Sequence, residues 1–347
     1  MKVSFTQILP KEDPIHGTPC SRSSHGVSIV TDGTRLVLYG GEHTARMPLE
    51  TEQTLWIACQ NGGGWEWKCV LSDLEQQPPA RIGHAQAAVG NDVFIFGGRA
   101  GITMKEMAMN DLWKFDTNTF KWAEVKTNGS PPAPRSFHRM IYVNDRFLYV
   151  FGGCGEDGRL ADLYKFDLET STWHTLEPSP LRGRGGANIL QLKHNKLAIV
   201  AGYAGEETND GHTFLLDTEQ WEEDSLEHKL KGLRPRSVCV AASSSMACLI
   251  FGGEVNPSER GHEGAGGFTN DIVLMDPETC EYLSSISIVN PLDKNWPQPR
   301  GWSDGSIIEN TDAKGRKEAQ LYIFGGLSGD DSNPIRLNDL WRMNITT

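Results

Sequence analysis

The sequence predicts an all-β fold, a six-bladed β-propeller, and three recurrences predict it. A hydrophobic strand ending in a glycine pair repeats as VLYGG (37–41), VFIFGG (93–98), LYVFGG (148–153), LIFGG (249–253) and LYIFGG (321–326), with LAIVAGY (197–203) as a degenerate sixth member. Ahead of each stands an Arg-led strand start: Arg22, Arg81, Arg135, Arg184, Arg236 and Arg300. After the glycine pair, a third strand reads Asn110-Asp-Leu-Trp-Lys-Phe-Asp116, Ala161-Asp-Leu-Tyr-Lys-Phe-Asp167, Asn270-Asp-Ile-Val-Leu-Met-Asp276 and Asn338-Asp-Leu-Trp-Arg-Met-Asn344. A fourth opens on tryptophan at Trp65, Trp122 and Trp173.

Four strands per unit at a period of about 50 residues resemble kelch repeats, each one blade. A glycine pair lets the backbone turn where a Cβ would clash, an Asp closing the third strand suits a turn, and a Trp ring packs between blades. The expected blades span about 19–72, 78–130, 131–178, 179–230, 231–290 and 296–347, in one domain over 1–347, with prolines at many joints. The sixth repeat stops after its third strand. The segment Phe5-Thr-Gln-Ile8 has the shape of a fourth strand, so residues 2–9 are expected to complete the last blade and close the ring. Long 3.6-period apolar stretches are absent, so helix should be nearly absent.

Composition excludes other classes. A net charge of −12 argues against nucleic acid and anionic membranes, whose phosphates need a basic field. No apolar run reaches the roughly 18 residues of a span, and polar residues interrupt the first ten, so a cytoplasmic protein is expected. Seven cysteines form no C-x-x-C pair, which suggests neither a disulfide framework nor a Cys-based zinc site.

Polar groups that follow the glycine pairs, or sit at the Arg-led starts, converge at one mouth of a propeller channel. Arg99 directly follows Gly98 and Arg159 comes shortly after Gly153. Planar guanidinium groups there suit a carboxylate, sulfate or phosphate. Blade five carries an insertion, Gly253 to Asn270, holding Glu254, Ser258, Glu259, His262 and Glu263, which a repeat does not need in order to fold. Carboxylate plus imidazole suits Fe(II), Mn(II) or Zn(II). His25, His84 and His138 fall at one repeat position and are expected to hydrogen-bond within blades. The charged stretch 309–320 (Asp312, Lys314, Arg316, Lys317, Glu318) reads as a solvated hairpin tip.

The whole chain resembles the plant kelch specifier proteins of glucosinolate breakdown: the nitrile-specifier, epithiospecifier and thiocyanate-forming proteins. The residues that carry the likeness are PCSRSSHGVSIV, FGGR, PRSFHRM, RGGANIL, AGYAG, FGGEVNPSERGHEGAG and PRGWSDG. The resemblance implies an Fe(II)-dependent, lyase-like protein that diverts a glucosinolate aglucone to nitrile, epithionitrile or thiocyanate. In the family the fifth-blade loop reads Glu-x-x-x-Asp-x-x-x-His. Glu254 and His262 match this pattern, while Ser258 stands in place of the Asp, leaving Glu259 next door or water to fill the position. Arg99 and Arg159 would hold the anion, and Phe137 and Trp302 would wall the pocket. The partners implied are a small anionic organosulfur substrate and a thioglucosidase that supplies it, with the chain a monomer or homodimer. The competing class is a non-catalytic kelch module that binds a protein.

Overall fold

Short β-rich segments separated by glycine pairs and Asp-led turns bury their alternate faces only by stacking sheet on sheet, and the chain does this throughout. In the computed structural model, the structure describes residues 1–71, 76–100, 107–283, 287–288, 296–311 and 315–346. The fold class is the six-bladed β-propeller: six sheets of three to five strands, with only two single-turn 3-10 helices among the described residues. No helix among them is long and apolar enough to cross a membrane.

The chain forms two compact units, Leu9–Gly185 and Met1–Ile8 with Gly186–Thr347. The first holds three blades. Blade one is Gly26–Ile29, Arg35–Tyr39, Leu55–Asn61 and Gly64–Cys69; blade two is Ala85–Val89, Asp92–Ala100, Met107–Asp116 and Lys121–Glu124. Blade three is Arg139–Val143, Phe147–Cys154, Arg159–Asp167 and Thr172–Thr175. Between the first two lies a core of Val37, Tyr39, Leu55, Ile57, Val93, Ile95 and Phe115, and the blade-two Trp122 closes it, 4.9 Å from the Tyr39 ring. Trp173 does the same between blades two and three, 5.1 Å from Phe96.

The second unit holds the other three blades. Blade four runs Asn188–Leu192, Lys196–Tyr203, Glu207–Leu215, Gln220–Trp221; blade five keeps three strands, Val240–Ser243, Cys248–Phe251 and Ile272–Met275. Blade six has the long hairpin Lys317–Asp330 and Asn333–Thr346, the inner strand Asp304–Thr311 and, as expected, the N-terminal strand Lys2–Ile8. That strand pairs antiparallel with the last one, Lys2 opposite Thr346 and Ile8 opposite Leu340, and buries Val3 and Phe5 among Phe251, Trp296 and Trp341. Ser287–Ile288 adds a parallel edge to it. In the charged stretch at 309–320, Asp312 and Lys314 lie outside the described residues.

The Arg-led starts prove to be internal clamps. All six arginines are fully buried or nearly so. Arg81, Arg135, Arg236 and Arg300 each donate to the carbonyl of the first glycine in their own blade's pair and fork onto an aspartate, Asp111, Asp162, Asp271 and Asp339, at 2.6–3.0 Å. Burial alone would raise the Asp111, Asp271 and Asp339 carboxyls, but the hydrogen bonds and charge of their arginines hold all three below the usual range. Arg22 of blade one bonds instead to the carbonyls of Cys20 and Gly40 and to the Cys20 thiol.

Two of the three histidines differ from expectation. His84 and His138 are buried and pack edge-on against Tyr39 and Phe96 of the preceding blade, rather than hydrogen-bonding within their own. A ring nitrogen there is far from water, so burial holds both imidazoles neutral, His84 with a pKa lowered to about 3.

Candidate functional site

Two residues after each Arg-led start the backbone turns left-handed: Ser24, Gly83, Phe137, Gly186, Val238 and Trp302 have φ of 47–61°. Within each unit these residues hydrogen-bond in series. Gly83 N–H donates to the Ser24 carbonyl and Phe137 N–H to Gly83; Val238 N–H donates to Gly186 and Trp302 N–H to Val238. Five of the six residues that follow the glycine pairs bridge to the Arg-led segment: Glu42 to Ser23, Arg99 to Ile82, Cys154 to Ser136, Glu254 to Ser237, Leu327 to Gly301. Repeat geometry therefore presents two side-chain positions per blade on the same end of the sheets. Arg99, Phe137, Glu254 and Trp302 occupy those positions, whereas Arg159 and His262 lie outside them. The left-handed conformation was not legible in the sequence, because Phe, Val and Trp do not announce positive φ.

In the first unit, Arg99 ends Asp92–Ala100 and reaches Ser136, donating from Nε and Nη2 to the Ser136 hydroxyl at 2.9 and 2.7 Å. Its guanidinium lies 5.1 Å from the centre of the Phe137 ring. Phe137 in turn lies over Gly83, where any Cβ would stand 2.7 Å from the ring. Arg159 is exposed at the start of its strand, opposite Cys154. Burial raises the Cys154 thiol pKa, while the charges of Arg99 and Arg159 pull it down, which places both cations within electrostatic reach of one sulfur. Arg99, Phe137 and Arg159 thus form one cationic, aromatic patch. Ser136, which orients Arg99, was missed in the sequence, where it reads as a filler of the repeat.

In the second unit, the blade-five insertion leaves the sheet as a ribbon, Glu254–Asn256 paired with Gly267–Phe268, and carries a 3-10 turn at Gly261–Glu263. Glu254 is 7% exposed. Burial pushes its pKa up to about 7; the backbone N–H groups of Ser258 and Gly266 and the His262 charge oppose this, and Asp331 adds to it. His262 sits edge-on to Trp302, ring centres 5.1 Å apart. Ser258 is committed elsewhere: its hydroxyl donates to Asp331 Oδ1 at 2.5 Å and accepts from Arg260 N–H at 3.0 Å. Glu259 is exposed. The carboxylate beside Ser258 is therefore Asp331, from the tip of the blade-six hairpin and 73 residues away in sequence. Nothing in the run Gly329-Asp-Asp-Ser-Asn333 marks it as other than turn chemistry.

The donor chemistry suits a divalent cation in kind: a buried carboxylate and an imidazole, without an ion pair from Lys or Arg to Glu254 among the described residues. Among these residues, no three or more His, Cys, Asp or Glu stand together as a ready cage.

Comparison with known proteins adds the following. A sequence model described as the KLHDC2/KLHL20/DRC7 Kelch-repeats domain matches residues 6–180 and 75–253. An N-(sulfonatooxy)prop-2-enimidothioate sulfolyase of Thlaspi arvense is 27% identical over 334 residues, covering 89% of each chain. Adagio-like protein 3 of Oryza sativa subsp. japonica is 28% identical over 61% of this chain, which spans only 35% of that protein. A solved structure titled "Structure of YjhT" superposes with a TM-score of 0.63 at 18% identity, covering 93% of this chain and 95% of that one, and shows the shared fold.

Proposed function

This chain belongs to the kelch-repeat family, and on that premise we propose that it is a specifier-like protein, lyase-like in chemistry, acting on a small anionic organosulfur compound such as a glucosinolate aglucone. The observation that carries the reading is Glu254. A carboxylate this deeply buried, within reach of an imidazole and with no ion pair to lysine or arginine among the described residues, is costly to a repeat that needs only a turn there. The relative that spans nearly the whole chain is named for a substrate with a sulfonatooxy and an imidothioate group. Those are the two chemistries that a guanidinium patch and a cation would receive.

In this reading, Arg99 holds the sulfonate-type oxygens, pre-aimed by its two bonds to Ser136, with Arg159 contributing charge from the rim. Phe137 supplies a flat apolar wall beside Arg99, and Trp302 one beside His262, each shielding its own group from water. Glu254 and His262 are the residues that would hold Fe(II), which would supply a Lewis-acidic site for a sulfur anion.

The test is product analysis. An allylic glucosinolate treated with a thioglucosidase should give nitrile or epithionitrile when this protein and Fe(II) are both present, and isothiocyanate when either is omitted. Arg99→Met should lower the nitrile fraction by about tenfold or more, through lost anion positioning. Isothiocyanate as the sole product under every condition would sink the reading and favour a protein-binding kelch module.

A further inference from the structure

Glycine at the second position after an Arg-led start is not forced by the backbone. All six residues there have φ of 47–61°, yet Ser24, Phe137, Val238 and Trp302 carry side chains. What a glycine leaves at that position is room, and at Gly83 the Phe137 ring fills it. A Cβ on Gly83 would meet three atoms of that ring at 2.7, 2.9 and 2.9 Å, and these are its three nearest neighbours. Gly186 is the matched case in the other unit: a Cβ there would stand 2.7 Å from Val238 Cγ1 and 2.9 Å from Val238 N.

The ring and its seat are fastened together, because Phe137 N–H donates to the Gly83 carbonyl at 2.6 Å. Arg99 starts from the same corner. Its backbone exchanges two bonds with Ile82, the residue before Gly83, at 2.9 and 3.0 Å. Blade two thus supplies the cation and the glycine, and blade three supplies the ring and the Ser136 hydroxyl that receives Nε and Nη2. Two bonds to one oxygen hold the guanidinium at a point but let it rock about that point. A ring 5.1 Å away, within cation–π reach, restricts the rocking. A side chain on Gly83 would push the ring off, since a phenylalanine turns about χ1 and χ2 more readily than a backbone shifts.

We infer that Gly83 is a positioning residue of the anion subsite: by carrying no side chain it seats the Phe137 ring, and the ring holds the Arg99 guanidinium in the pose that receives an anionic oxygen group. This rests on the anion-binding part of the proposed function. It makes the orientation of the bound anion depend on a glycine that acts only through the ring it seats.

The experiment is calorimetric titration of the full-length protein with sodium sulfate, at constant ionic strength in chloride, with the melting temperature of every variant recorded. Gly83→Ala should weaken sulfate binding about 5–20-fold by displacing the ring. Phe137→Leu removes the aromatic face but leaves the seat, and should weaken binding by about the same factor. Because the glycine acts through the ring, adding Gly83→Ala to Phe137→Leu should change affinity by no more than about twofold. Gly186→Ala meets the same kind of crowding at Val238. It should lower the melting temperature at least as far as Gly83→Ala does, with sulfate affinity within about twofold of the parent.

Parent affinity in Gly83→Ala, alongside loss of binding in Arg99→Met, would overturn the inference and leave the anion reading standing. Unchanged affinity in Phe137→Leu would overturn it in the same way, even where Gly83→Ala does not fold. Losses that add in the double variant would show Gly83 acting by another route, and an equal loss in Gly186→Ala would show general loosening of the blades; either result overturns the inference. A parent protein with no saturable sulfate binding would overturn the anion reading itself, and this inference with it.

Discussion

Glu42 and Glu254 occupy the same repeat position, the residue after the glycine pair, each bridged to the serine that follows its blade's arginine. Both are buried, 1% and 7% exposed. Their surroundings differ. Around Glu42 the chain supplies local donors: the Ser23 and Ser24 hydroxyls at 3.2 and 3.1 Å on Oε1, and Arg46 N–H at 2.6 Å on Oε2. Around Glu254 the Ser258 hydroxyl is turned away to Asp331, leaving backbone N–H groups and an imidazole. Burial of an acid at this corner is thus compatible with a purely structural role. What distinguishes blade five is that its loop spends its best donor on a second acid instead of satisfying the first.

The clamp aspartates are a third case and bound the comparison from above. In blade six Arg300 is fully buried, forks onto Asp339 at 2.7 and 2.8 Å, and also holds the Gly325 carbonyl at 3.0 Å. Arg300→Met strands that carboxylate and that carbonyl, and should cost about 3–5 kcal/mol, read as a lower urea midpoint. Asp339 has its carboxyl held below the usual range, so its share of stability is present above the unfolded value of 3.8 and is lost as pH falls below it. The parent should therefore soften in acid, and Arg300→Met should have lost that softening. Glu42→Gln is the intermediate case. The amide keeps the shape but offers one acceptor where two hydroxyls and an N–H converge, so a cost of about 1–2 kcal/mol is expected in the same measurement. A neutral result there would mean that Glu42, too, is held without need, and the contrast with Glu254 would fail.

How much of this was legible in the sequence follows from which interactions are periodic. The blades, the N-terminal strand and the inter-blade tryptophans were readable because each is repeated, and a pattern seen six times outweighs chance at any one position. Arg99, Glu254 and His262 could be singled out because they break that periodicity at fixed offsets from it, whereas Phe137 and Trp302 were picked out only through the resemblance to the specifier proteins. The role of the Arg-led starts as forks onto the third-strand aspartates was not read, although both partners recur, because pairing across roughly 30 residues is a fact of register and not of local spacing. Asp331 was invisible for a stronger reason. It belongs to a turn in another blade, and only the folded hairpin sets it against Ser258. The histidines His84 and His138 failed in the opposite way: their type suggested hydrogen bonding, whereas packing against Tyr39 and Phe96 decided their environment.

The most diagnostic effect is a change with pH. Glu254 has its pKa raised from 4.5 to about 7 in the fold. Below 4.5 the acid is protonated in folded and unfolded chain alike, and its contribution is fully present. Between 4.5 and about 7 the unfolded chain has lost the proton that the folded chain still binds, so stability falls as pH rises, and above about 7 the loss is complete. The fall should be on the order of 2–3 kcal/mol across that window, opposite in sign to the acid softening from Asp339. Glu254→Gln removes the titration and should flatten the curve between pH 4.5 and 7. Near pH 5 it should match the parent closely, and at pH 7.5 it should be the more stable of the two. Urea midpoints of both proteins at several pH values, measured in chelator, make the comparison. A Glu254→Gln protein that tracks the parent across the whole range would mean that this carboxylate is as well satisfied as Glu42, and the case for an open charge in blade five would be gone. Adding Mn(II) at pH 7.5 should then reverse the order, raising the midpoint of the parent and leaving the variant where it was.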